Sequence, residues 1–410
     1  MSMIKRVLLS SFTAMICMTS LYASEKEVLS PDGRLKVVVS DEGGIPSYQV
    51  FYDGVTFIEK SPLGMKTTIG DFTSSLSLGS EIKETSIRKN YRLPNIKKSK
   101  VEYAAESVVV PFTKEGRTAF DVEFRVSNND VAFRYTVYPK KDILCCVIQQ
   151  ETTGFVMPEG TTTFLCPQSG PMGGFARTSP SYETPYTVDD TMGKNGWGEG
   201  YKNSDKGWIL ISETGVNSYY CGSRLMGHED GLYTIGFPQE GEFNGNGTIS
   251  PGIALPGKTP WRTITLGSTL APIVETTVPF DVVEPLYEPS KDYTAEYGCG
   301  TWSWIIAGDA SMNMDDQKRY VDFCAAMGYR TVLVDALWDT QVGYDKIEEL
   351  AAYAKQKNVG LYLWYNSNGY WNDAPQGPRG KMSNIIERRK EMKWMQRIGI
   401  KGIKVDFIGS

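Results

Sequence analysis

Near the carboxyl end the chain reads Lys401-Gly402-Ile403-Lys404-Val405-Asp406-Phe407, and two residues of this run can do chemistry together. Residues i and i+2 of a strand project to one face, so an extended run puts Lys404 and Asp406 side by side. A charge on such a face is costly unless it is paired or used. A carboxylate beside a cation stays ionised. Asp335 ends a similar apolar run, Leu333-Val334-Asp335-Ala336-Leu337-Trp338-Asp339. Trp364-Tyr365-Asn366 ends another and leads into a long loop with Tyr370, Trp371, Asn372 and Asp373. Long loops without structure of their own tend to be functional or disordered. Each Asp has a plainer reading as a helix cap, strongest for Asp339, and Tyr370 with Trp371 could simply cover a rim. The single histidine, His228, excludes an HExxH zinc site and argues against a Ser-His-Asp site.

The elements that must position these residues follow from the pattern after Pro285 and Pro289. A strand is expected over 298–304, then a helix with Tyr320, Cys324 and Met327 on one face and Gly328 as its stop. A strand over 331–335 precedes a helix carrying Ile347, Leu350, Ala351 and Ala354 at i, i+3, i+4 and i+7. A third strand spans 361–365, a helix runs from about Asn384 to Arg397 with Gly399 as its stop, and a fourth strand spans 403–407. Strand and helix in alternation predict a parallel sheet. A (β/α)8 barrel needs about 250 residues, so about the first four βα units are expected here, over 296–410. In such barrels the site stands on the carboxyl ends of the strands, where Asp335 and Asp406 fall.

From Glu25 to about Val283 the period is two: Leu35-Lys36-Val37-Val38-Val39 and Phe120-Asp121-Val122-Glu123-Phe124-Arg125-Val126 alternate between turn signals such as Asp32-Gly33 and Asp53-Gly54. This predicts a large antiparallel β-sandwich over 24–285, with no helix-length periodic segment before Glu284. Residues 286–295 read as a linker.

With these runs in view, the chain resembles glycoside hydrolase family 97. The resemblance rests on Lys401 to Phe407, on Thr301-Trp302-Ser303-Trp304 and on Leu333 to Asp339. Ser30-Pro31-Asp32-Gly33 and Ser61-Pro62-Leu63-Gly64 add to it in the amino-terminal half. It implies a retaining α-glycosidase, most of all an α-galactosidase, because retaining members keep an Asp at the end of the fourth strand. It further implies Asp406 as the nucleophile, Lys404 and Asp335 as groups that hold sugar hydroxyls, and Trp304 as part of the substrate site. The acid/base Glu would then lie beyond Ser410, and the 410 residues alone are expected to be inactive. A bound Ca²⁺ is implied as well, with Glu183 in Ser181-Tyr182-Glu183-Thr184-Pro185-Tyr186 the match for its sandwich ligand. A solvated loop Glu is the plainer reading of Glu183.

The rest of the sequence bounds the setting. Lys5 and Arg6 before an apolar stretch to Tyr22, then Ala23 and Ser24, read as an export signal over 1–23, so a periplasmic or secreted protein is expected. No later segment is apolar enough to span a membrane. The net charge of −5 leaves no basic face for nucleic acid. Six cysteines follow the signal with no framework spacing, and buried free thiols are expected. The expected partner is an oligosaccharide or other α-glycoside, bound by a monomer or weak oligomer. Three rival readings remain: an inverting α-glucosidase of the same family, a non-catalytic carbohydrate-binding protein, and a structural cell-surface sandwich. Asp406 disfavours the first, and the Lys404 and Asp406 pair is unexplained by the last.

Overall fold

The computed structural model describes residues 24–93, 96–167, 186–187, 196–203, 206–238, 240, 248–285, 297–367 and 374–407. The expected export signal, Glu183, and the loop residues Tyr370, Trp371, Asn372 and Asp373 lie outside the described residues. Up to residue 267 the described elements are almost all antiparallel strands. A seven-stranded sheet begins Glu25–Leu29, Leu35–Ser40, Ser47–Tyr52 and Val55–Pro62, and an eleven-stranded sheet has Lys100–Lys114, Arg117–Ser127, Asp130–Val137 and Trp261–Gly267 near its centre. The alternation read from the sequence is the alternation of burial: Leu35, Val37 and Val39 are buried, and Val37 pairs across to Val50.

The two inner faces meet through aromatic rings. Tyr48 of the smaller sheet lies 5.1 Å from Phe133 of the larger, which in turn stacks on Phe124 at 5.2 Å. One continuous core therefore joins both sheets, as a sandwich requires. The strand Trp261–Gly267 is buried along its whole length. Two five-residue helices, Ala271–Glu275 and Val278–Val282, follow it, both shorter than the helix-length periodic segment that the sequence lacks before Glu284. Each is too short to show a 3.6-residue period, and each begins with a Pro in its first turn, a position that favours helix starts.

From residue 300 the period changes and so does the sheet. Gly300–Trp302, Thr331–Val334, Gly360–Asn366 and Gly402–Asp406 form four parallel strands in chain order. The register sets Trp302 beside Leu333, Val334 beside Leu363, and Asn366 beside Asp406, so the carboxyl ends align along one edge. Helices Met314–Ala326, Tyr344–Gln356 and Ile385–Ile398 connect them. Ile347, Leu350, Ala351 and Ala354 are all buried, as their spacing predicts. Asn384 caps the last helix by accepting from the amides of Ile386 and Glu387, and Gly399 ends it at φ 83°, where a side chain would be strained.

Two local expectations fail here. The first strand stops at Trp302 rather than Trp304, because Trp304–Ala307 turns into a short helix ended by Gly308 at φ 55°. On Met314–Ala326 the buried residues are Gln317, Val321 and Cys324, while Met327 is exposed. Gln317 is drawn inside by hydrogen bonds from its amide to the Ser303 hydroxyl and the Ser311 carbonyl, each at 2.9 Å. Of the five cysteines whose side chains are described, all are free, Cys146 and Cys324 are buried, and Cys145 and Cys299 are exposed. Among the described residues no helix is long and apolar enough to cross a membrane.

Candidate active site

The four strand ends surround a cavity of about 310 Å³ lined by Trp302, Trp304, Asp309, Asp335, Trp364, Lys404, Asp406 and Phe407, with Ala336 and Gln376 completing the wall. Lys404 and Asp406 point the same way from the fourth strand, and the ammonium lies 3.2 Å from Asp406 Oδ2. The same ammonium is 3.3 Å from Oδ2 of Asp335 at the end of the second strand and 4.2 Å above the Trp302 ring. Asp335 is buried. Its Oδ2 also accepts from the Trp302 indole at 2.7 Å, and its Oδ1 from the Ala336 amide at 2.8 Å. Lys404 is thus held between two carboxylates and a π face, with a geometry that leaves it little freedom.

Asp406 is more open than Asp335, with 40% of its side chain exposed against 4%. Partial burial pushes its carboxyl up, but hydrogen bonds from the Phe407 amide, the Trp364 indole and the Lys404 ammonium, with the Lys404 charge, outweigh burial and hold it below the usual carboxylate range. The amide donates to Oδ1 at 2.9 Å and the indole to Oδ2 at 3.2 Å. The sequence argument credits Lys404 with keeping Asp406 ionised; the amide of the next residue and the Trp364 indole act with it. Phe407 has φ 56°, a left-handed turn that aims its N–H back at the preceding side chain. Such strain in a bulky residue is stored where the surrounding structure over-determines it. Ser367 secures the turn, donating its amide to the Asp406 carbonyl at 2.8 Å and its hydroxyl to the Phe407 carbonyl at 2.7 Å.

Four of the five residues singled out from the sequence therefore stand around one cavity: Asp406, Lys404, Asp335 and Trp304. Glu183, the fifth, lies outside the described residues. Trp304 reaches the cavity from its short helix, stacked on Trp302 at 5.6 Å and 15° and fixed by a hydrogen bond from its indole to Asp309 Oδ1 at 2.8 Å. Asp309 itself was missed, and no local signal marks it, since it depends on the tight turn after Gly308. Trp364 and Phe407 were read only as strand-end residues. Asp339 does not cap a helix: Leu337, at φ 70°, precedes the turn 338–342, and Asp339 Oδ1 is buried without a partner among the described residues. Burial pushes the Asp339 carboxyl up, against the pull of its own and the Thr340 amide.

The arrangement offers a partly open carboxylate kept ionised, a pinned cation beside it, and tryptophan surfaces around both. That combination suits a polyhydroxylated ring, whose edges need hydrogen-bonding partners and whose faces are apolar.

Comparison with known proteins agrees. The family description Glycosyl-hydrolase 97 N-terminal matches residues 28–285, and Glycoside hydrolase 97 matches residues 295–410. A Streptomyces bingchenggensis protein named as a probable retaining alpha-galactosidase is 28% identical over 397 residues, covering 93% of this chain and 56% of that protein. A crystal structure of a beta-arabinopyranosidase superposes with a TM-score of 0.88 at 48% identity, over 94% of this chain and 62% of that one. A family 97 glycoside hydrolase from a Pseudoalteromonas species, solved with panose, gives a TM-score of 0.71 at 22% identity, over 93% of this chain and 59% of that one. The chain spans less than two thirds of the length of each of these relatives.

Proposed function

The chain belongs to glycoside hydrolase family 97, and from that premise we propose that it carries the nucleophile half of a retaining glycosidase acting on galactose-configured α-glycosides. The observation that carries the reading is the Asp406 carboxylate at the fourth strand end, ionised, facing a cavity and 3.2 Å from a pinned lysine. In this reading Asp406 attacks the anomeric carbon, and the glycosidic oxygen departs with the bonding electrons and a proton from a second carboxyl group. Water then hydrolyses the glycosyl ester, and two inversions leave the configuration retained. Lys404 and Asp335 hold sugar hydroxyls while Trp302 and Trp304 bound the ring. The four parallel strands are read as the first four of an eight-stranded barrel, and the 1–23 segment as an export signal to the periplasm or beyond.

The test uses the whole protein that contains this chain. Asp406→Gly should abolish turnover of an aryl α-galactoside, with added azide restoring part of it and giving the inverted azide product. Wild-type kcat in Asp406→Gly would sink the assignment.

A second reading concerns the sugar. An L-arabinopyranose ring carries the hydroxyl arrangement of galactose without the exocyclic carbon, and its β-glycoside corresponds to the α-galactoside. The 48% identity with a beta-arabinopyranosidase favours this pentoside. Comparing kcat/KM for the two aryl glycosides decides, because a pocket discriminates by the groups it leaves unfilled or unpaired.

Calcium is proposed on the family resemblance alone. Among the described residues no three His, Cys, Asp or Glu stand together so as to hold a metal ion, and the steps above use none. Exhaustive chelation of the whole protein should abolish activity, with Ca²⁺ restoring it; unchanged activity would remove the ion from the reading.

A further inference from the structure

An ionised carboxylate has two oxygens and about four lone-pair sites, so the donors around Asp406 can be counted against its capacity. Oδ2 faces two donors: the Lys404 ammonium at 3.2 Å and the Trp364 indole N–H at 3.2 Å. Oδ1 receives one, the Phe407 amide at 2.9 Å. Among the described residues Oδ2 thus has two donors and Oδ1 one, so the spare capacity of this cavity-lining carboxylate is on Oδ1.

Trp364 is well placed to hold this asymmetry. It is buried at the carboxyl end of the third strand, one strand away from Asp406, and its ring meets the Phe407 ring edge-on at 5.4 Å. Its own carbonyl accepts from the Trp338 indole at 2.8 Å, and Trp338 is clamped by Trp394 stacked at 5.8 Å and by Tyr344 at 5.0 Å. A neutral donor on a rigid ring orients a carboxylate without cancelling its charge, whereas the Lys404 charge is shared with Asp335. Resting on the nucleophile assignment above, we infer that Trp364 is a positioning residue that, with Lys404, anchors Oδ2 of Asp406 and so leaves Oδ1 as the attacking oxygen.

The step balances as follows. An Oδ1 lone pair forms the bond to the anomeric carbon while the glycosidic C–O bond breaks. Its electron pair stays with the leaving oxygen, which takes a proton from a carboxylic acid of the whole protein. Oδ2 becomes the ester carbonyl oxygen and keeps the Trp364 N–H. Lys404 keeps Asp335 as a counter-charge when Asp406 loses its own.

The experiment replaces Trp364 by phenylalanine in the whole protein and reads kcat/KM for an aryl α-galactoside and an aryl β-L-arabinopyranoside against pH. Asp406 is faced by Lys404 on its own strand and by Asp335 and Asp309 across the cavity, and none of these changes. Loss of a donor to the charged form raises a carboxyl pKa, so the acidic limb should move to higher pH. At the plateau kcat/KM should fall about 10- to 100-fold, mostly in kcat. Trp338→Phe, which removes the indole bond to the Trp364 carbonyl and part of the packing on Trp394 and Tyr344 but no donor to Asp406, should leave the acidic limb in place. Should Trp364→Phe fold poorly, benzothienylalanine at 364 removes the N–H and keeps the ring, and the same shift is expected. An acidic limb superimposed on wild type, with activity within twofold, overturns the inference while Asp406→Gly remains dead. If Asp406→Gly is itself active, the nucleophile assignment fails and the inference falls with it.

Discussion

The two halves of the molecule each contain a cation between two carboxylates, and they use it differently. In the sandwich, Arg262 donates to both oxygens of Glu151, at 2.9 and 2.6 Å, and also to Glu213; Ser223 and Tyr220 complete the cluster. Arg262 and Glu151 are wholly buried. Burial works against the Arg262 charge, and Glu151, then Tyr220 and Glu213, more than restore it. At the parallel strand ends, Lys404 sits between Asp335 and Asp406, but 30% of it and 40% of Asp406 remain exposed to a cavity. A planar guanidinium can saturate two carboxylates from a fixed geometry, whereas a compact ammonium keeps rotatable donors for a third party. A charged cluster enclosed by its own partners belongs to the fold, and one left open toward a cavity is available for chemistry.

The comparison makes its largest prediction in the sandwich. Arg262→Met strips the buried Glu151 and the part-buried Glu213 of their partner and should cost about 3–5 kcal/mol of unfolding free energy. Urea denaturation followed by tryptophan fluorescence reads it, and a loss below about 1 kcal/mol would break the parallel, because a filled buried cluster cannot lose its cation cheaply. Lys404→Met in the whole protein should do the reverse. Turnover should fall on the order of 10²-fold or more while unfolding shifts by only about 1–3 kcal/mol, since Asp335 keeps the Trp302 indole and the Ala336 amide. Equal losses of stability in both variants would show that the second cluster is structural too.

The smallest effect sharpens the contrast through a carboxylate that has no directly paired cation among the described residues. Asp281 is buried in the helix Val278–Val282 and accepts from the Tyr91 hydroxyl at 2.5 Å and the Thr277 hydroxyl at 2.9 Å. Burial pushes its carboxyl up to about 6, against those two hydrogen bonds. A raised folded pKa means that the protonated form is favoured by folding, so its contribution is present below about 3.8 and is lost as pH rises through about 6. Asp281→Asn, neutral at every pH, should remove that part of the slope. The difference in Tm between wild type and variant should change between pH 4 and pH 6 and stay constant above; a flat difference throughout would place the charge in solvent.

Local pattern determined much of this protein. Period two before Val283 and the 3.6-residue spacing of Ile347, Leu350, Ala351 and Ala354 fixed sandwich strands and helix face, because side-chain direction along one element depends only on its own geometry. Lys404 and Asp406 were legible for the same reason, two residues apart on one strand. Asn384 and Gly399 marked a helix by capping chemistry confined to a few residues. What the sequence withheld depends on contacts between distant positions. Trp302 reaches Asp335 across 33 residues, Lys404 reaches Asp335 across 69, and Trp364 reaches Asp406 across 42. Only the parallel register brings those ends together. That the Trp302 indole and the Ala336 amide hold Asp335, that Asp309 fixes Trp304, and that Phe407 turns its amide onto the preceding carboxylate were decided by the tertiary structure, since no periodicity records which side chains a sheet edge will gather.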